Sequence, residues 1–263
     1  MTAPHAPQAQ WLRFADAGEA ADLAAFLARL IHYDRAAVVR LQAGGGVLGV
    51  FGRPPSFEVL AVRTARLADA GALDVTVSAG QLADALDAAG AATASGELSV
   101  PVPEAVTGPP WAGVLPPRGG WERVPGLPDV EAVRGAVAGA VAEFRHRDAA
   151  LPEQHRVRAE RDRIGREIWS RTLGDTGLPL RAVHAAQALG FLRPVPGPAA
   201  RPAAARTADA GGAPAGATAL APEPLALFAA GGWLRLRTPY GSIAVRTGGL
   251  GGLTVTPAHR PNA

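Results

Sequence analysis

The 263-residue chain contains no cysteine, so neither a disulfide nor a thiolate-bound metal can form, and nothing in it speaks for an oxidising compartment. Lysine is absent as well. All 26 basic side chains are arginine, whose guanidinium keeps its charge to very high pH. The sequence pI near 10.4 therefore reports arginine usage, since 23 acidic residues hold the formal net charge to +3. With abundant Ala, Gly and Pro, the missing Lys reads as the coding habit of a GC-rich bacterial genome and says nothing of function. Uncharged apolar runs of about 18 residues are lacking, and Met1 to Pro4 do not set a basic segment before an apolar one. The expectation is a cytoplasmic protein with no membrane segment.

What is present is a hydrophobic fraction of 48%, ample for a buried core, and 24 Pro and 32 Gly concentrated in a few stretches. Residues 10–102 read as an α+β unit. A short strand at Trp11, Leu12 and Phe14 precedes a helix opened by the capping box Asp16 and Glu19, with Leu23, Phe26, Leu27, Leu30 and Ile31 along one face. Strands are expected over Ala37 to Leu41, Val47 to Phe51, Phe57 to Val62 and Leu73 to Val77. A second capping box, Ser78 with Gln81, opens a short helix, after which Leu98 to Val102 are expected to return to the sheet. These pieces predict a small mixed sheet covered by helices.

Residues 103–128 form a Pro/Gly-rich connection holding Trp111 and Trp121. Residues 129–193 read as a helical segment, with Asp129 as one N-cap and Pro179 and Gly190 framing the last helix. Residues 194–222 lack large apolar groups and predict a disordered linker, and 249–263 a disordered tail. Between them, 223–248 predict a β-hairpin turning at Pro239, Tyr240 and Gly241, which must dock on the preceding parts because an isolated hairpin is marginal in water.

Motif matches dissolve in their contexts. Gly44, Gly46 and Gly49 have the spacing of a dinucleotide loop, yet a strand pattern follows where a helix N-terminus is needed, so a hairpin turn is the better reading. Glu143 and His146 sit at i, i+3 as in paired di-metal helices, but no second copy exists, and no metal or cofactor is assigned. None of the serines lies in a GxSxG elbow, and no catalytic residue is assigned. Ala186 and Gly190 match a helix-turn-helix spacing, but Pro194, Pro196 and Pro198 prevent a recognition helix.

Three functional readings remain. The first is a non-catalytic protein that binds a macromolecular partner, most simply another protein, through Trp111, Trp121, Trp233 and Tyr240, because aromatics in Pro/Gly surroundings often make partner surfaces. The second is a nucleic-acid-associated protein using Arg156, Arg158, Arg161 and Arg163 with Arg235, Arg237 and Arg246 of the hairpin. Against it, the eight Arg between 143 and 171 face six acids, several at i, i+4, as on a self-neutralising helix. The third is an enzyme or small-ligand module with a pocket between the sheet and the first helix, near His32 and Asp34.

Overall fold

In a computed structural model the described residues are 10–92, 98–194 and 225–247. The first half runs β1 (Trp11–Phe14), α1 (Ala17–Tyr33), β2 (Val38–Gly44), β3 (Val47–Gly52), β4 (Leu60–Arg66), β5 (Leu73–Ser78), α2 (Ala79–Ala92) and β6 (Leu98–Pro101). The second runs β7 (Glu122–Val124), α3 (Val130–Ala149), α4 (Arg158–Ser170), α5 (Leu180–Ala188), β8 (Ala226–Ala230), β9 (Trp233–Thr238) and β10 (Gly241–Arg246). The α+β class is as expected. The sheet is larger than the small mixed one anticipated: eight strands, antiparallel at every ladder, in the order β5-β2-β3-β4-β10-β9-β8-β7, with β1 and β6 forming a separate ribbon. The expected linker and tail lie, apart from Pro194, outside the described residues.

Local chemistry sets the elements. The Asp16 carboxylate accepts from the Glu19 amide at 3.0 Å and starts α1, which turns Leu23, Leu27 and Leu30 into the core with no exposed area. Asp129 does the same for α3 at the Ala132 amide, 2.8 Å away. Gly45 and Gly46, at φ +61° and +76°, close the β2–β3 hairpin in the left-handed region, so the glycine run is the turn expected of it.

The C-terminal strands take their place at the edge of the N-terminal sheet. Ser242, Ile243 and Ala244 of β10 face Val62, Ala61 and Leu60 of β4. One hydrophobic core then runs beneath both halves, with α1 and α5 side by side on the same face. Phe191, just past α5, stacks on Phe26 of α1 at 5.8 Å. It lies over Gly241, where a Cβ would come within 2.6 Å of its ring. Charge closes the seam: Arg63 of β4, 9% exposed, donates to Asp22 of α1 at 2.7 Å and to the Tyr240 carbonyl at 2.6 Å. Asp22 also accepts from Arg193, whose guanidinium lies 3.7 Å from the Tyr240 ring centroid.

Candidate functional site: a strapped cavity on the open sheet face

Residues alternate across a sheet, so the face opposite the helices is built from the other half of each strand. By register it carries Gln42, Gly49 and Thr64 in one row and Arg40, Phe51, Val62 and Ser242 in the next. A third row holds Leu60, Ala244, Arg235 and Phe228. Central strands that present Val62, Leu60 and Ala244 outward, each no more than 5% exposed, need a cover on this face too.

The cover is the Pro/Gly-rich connection. It leaves one sheet edge where the Val106 amide donates to the Thr76 carbonyl of β5 at 2.9 Å. It reaches the opposite edge as β7. Eight strands at their usual spacing span about 34 Å, well within reach of a chain this long. Gly108 permits the close start, since a Cβ there would lie 3.1 Å from the Thr76 hydroxyl. Midway, Trp111, Leu115 and Trp121 pack on Leu60, Trp233 and Ala244, and the Trp121 indole donates to the Pro117 carbonyl at 3.0 Å. Pro109 is extended at φ −66° and ψ 163°, Pro110 opens a short 3-10 turn to Gly113, and the prolines at 109–110 and 116–117 lower the entropic cost of ordering the strap.

Where the strap arches over β2, β3 and β4 it leaves a cavity of about 460 Å³, the size of a small-molecule site. Its floor is Phe51, Val62, Ala244 and the bare backbone of Gly49, and its roof is Pro116 and Pro117. Among the described residues the polar groups are Gln42, Thr64, Arg118 and Arg235, with no acidic side chain in the lining. Arg235 is half-buried, and its Nε is shut off from solvent with no acceptor among the described residues. Burial, and then the like charge of Arg237, push this guanidinium below its usual range. Asp74, beyond Gln42, accepts from Arg40 at 2.6 Å and from Gln42 at 3.2 Å; chiefly through Arg40, and least through the charge of Arg118, it sits below the usual carboxylate range.

The residues singled out in the sequence are distributed as follows. Trp111, Trp121 and Trp233 meet in one cluster that pins the strap, whereas Tyr240 lies on the helical side, its hydroxyl donating to the Pro194 carbonyl. The helix arginines and the hairpin arginines stand on opposite faces of the sheet. Arg161 pairs with Asp148 at 2.7 Å and Arg163 with Glu160 at 2.9 Å. Arg158 lies 3.6 Å from Asp162, and Arg156 donates to the Leu151 carbonyl. Arg235 faces the cavity, and Arg246 lies 5.3 Å from the Trp233 ring centroid. Asp34 caps α1 and borders a groove of about 410 Å³ with Arg53, Thr107 and Trp111, while His32 is exposed and packs edge-on against Tyr33. The space between α1 and the sheet is filled by the core leucines rather than open to a ligand. Among the described residues no group of three His, Asp or Glu could hold a metal ion, and no helix is long and apolar enough to cross a membrane.

Phe51, Thr64 and Arg118 belong to the cavity, although no motif in the sequence marks them as site residues. A signal was there: β3, β4 and β10 are apolar or small at successive positions rather than alternately, the mark of strands covered on both faces.

Fold and cavity together define an α+β protein whose antiparallel sheet is covered by helices on one face and by a strap on the other. The chain belongs to the family described as Domain of unknown function (DUF8185), whose model matches residues 116–250. Residues 7–113 match a second model, Domain of unknown function (DUF8010). The boundary falls within the strap, so the two matched regions are the two halves of the sheet. No curated protein matches the chain.

Proposed function

We propose that this protein works by binding, and that the cavity beneath the strap is where it holds a small organic ligand. The observation that carries this reading is a cavity of about 460 Å³ whose lining sets an apolar floor and roof beside two guanidinium groups, Arg118 and the half-buried Arg235. The floor and roof supply apolar area, and Gln42 and Thr64 supply the few directional contacts such sites use. The test is a thermal-shift screen of small metabolites against the wild type and Thr64→Trp, a substitution at an exposed position on the cavity wall that fills the space without disturbing the core. A stabilising compound whose effect disappears in Thr64→Trp is the expected result; hits that stabilise both proteins equally would count against the cavity.

A second reading, binding of a macromolecular partner, has its own support in a groove of about 310 Å³ beside Trp111 and Trp233, flanked by Arg53 and Arg246. Its test is a pull-down from lysate with and without nuclease at two salt concentrations. A protein retained under all conditions would support it, whereas nucleic acid lost with salt would point to the arginines of the hairpin.

A further inference from the structure

We infer that the ligand of the strapped cavity is an elongated organic anion, its acidic head against Arg235 and Arg118 and its flat apolar body along Phe51, Val62 and Ala244. This rests on the reading of the cavity as a ligand site and adds to it the chemical class.

Three features of the lining select that class. The first is positive charge. Arg118 comes from the strap and Arg235 from β9, and among the described residues the lining holds no carboxylate; Asp74, outside the lining, is hydrogen-bonded by Arg40 and Gln42 and feels the charge of Arg118 only weakly. A guanidinium offers donors in a planar fork, which suits the paired oxygens of a carboxylate, phosphate or sulfonate. The low-dielectric surroundings of Arg235, with Trp121 at 5.7 Å and Phe228 its neighbour in register, strengthen any such pair.

The second is the floor. Small residues stand where the sheet would otherwise project side chains: Gly49, whose missing Cβ leaves room for the Phe51 ring 3.2 Å from its ideal position, and Ala244 opposite Arg235. Between them the phenyl ring and Val62 give a flat apolar surface onto which a ring or short acyl segment fits.

The third is length. Arg235 lies on β9 in the row of Leu60 and Thr64 on β4 two rows further along, two strand spacings across and four residues along the sheet, so their backbones stand about 16 Å apart and a ligand that reaches both side chains is elongated. At the far end the hydroxyl of Thr64 and the amide of Gln42 can satisfy a neutral polar tail.

The experiment uses a pair of dyes that share a body and differ in charge: 8-anilinonaphthalene-1-sulfonate and neutral N-phenyl-1-naphthylamine. Both brighten in apolar sites and can be titrated into the full-length protein. The expected result is binding of the sulfonate about tenfold or more tighter than the neutral dye, the worth of one charge-assisted hydrogen bond. That preference should fall in Arg235→Met and in Arg118→Ala, the latter at an exposed strap position that tolerates truncation, and both dyes should be lost in Thr64→Trp. Melting temperatures of the variants show that each is folded. Equal affinity for the two dyes, or a preference surviving both arginine substitutions, would overturn the anionic class while leaving the cavity as the site. Dye binding undiminished in Thr64→Trp would overturn the cavity itself. Displacement of the sulfonate by 1-naphthoate, or instead by 1-naphthyl phosphate, tells a carboxylate ligand from a phosphate one. Equal displacement by inorganic phosphate would show that the apolar body is not recognised, which also overturns the inference.

Discussion

Arg63 and Asp22 illustrate how a single ion pair can matter to this fold. Arg63 is almost wholly buried at the junction of the two halves, and Asp22 divides its carboxylate between Arg63 and Arg193. Removing the acid strands a buried guanidinium, while removing a solvent-facing acid elsewhere costs little. Asp22→Ala is expected to lower unfolding stability by about 2 kcal/mol, the partial exposure of Asp22 keeping the loss below that of a fully buried pair. Urea denaturation monitored by circular dichroism checks the value, and a loss within experimental error would show that Arg63 finds another acceptor. The contrast is with Glu143 and Glu167 at the protein surface, where Arg147 of α3 pairs with Glu167 of α4 and Glu143 of α3 with Arg171 just past α4. Glu167 is pulled to about 2, first through its hydrogen bond from Arg147, yet these carboxylates are open to solvent and salt screens them.

At the scale of elements, α4 and α5 meet through a stack: His184 of α5 lies flat on Trp169 of α4 at 4.3 Å and receives the edge of Phe57 at 5.2 Å. Burial pushes the imidazole below its ordinary value of 6.5. As pH falls through about 6.5 the unfolded chain takes up a proton that folded His184 refuses, so the stability this stack contributes is present above that pH and is lost below it. Melting temperature should therefore drop between pH 7 and pH 5, and His184→Phe should flatten that part of the profile. An identical drop in the variant would assign the pH dependence to other groups. Elements of this kind were legible in the sequence to the extent that local chemistry decides them. The capped helix α1 and the β9–β10 hairpin read correctly from Asp16, Glu19 and the Pro239–Gly241 turn. β4 was expected over Phe57 to Val62 and lies at Leu60–Arg66, because Phe57 and Val59 are buried from a loop in which Ser56 and Glu58 adopt φ +69° and +52°. β7 and β8 were missed, one hidden in a Pro/Gly stretch and the other rich in alanine, which carries little strand preference. The cavity was illegible because its walls come from residues that only the strap brings together.

For the whole molecule the decisive contact is the seam between β4 and β10. A chain ending near residue 114 would bare the β4 edge and one side of a shared core, and an unpaired apolar edge in mid-sheet invites association. Residues 1–114 and 115–263, made separately, are expected to self-associate or precipitate, and to form a 1:1 complex when co-expressed. Size-exclusion chromatography with light scattering measures this, and two stable monomers with no affinity for each other would refute the single-core architecture. The cavity has a related dependence. Its floor at Gly49, Phe51 and Val62 comes from one matched family, and its roof and Arg235 from the other. In hereditary terms the site is indivisible: a gene retaining one region alone encodes half a pocket, so selection for the ligand acts on both regions as one locus and ties their substitutions together across the strap.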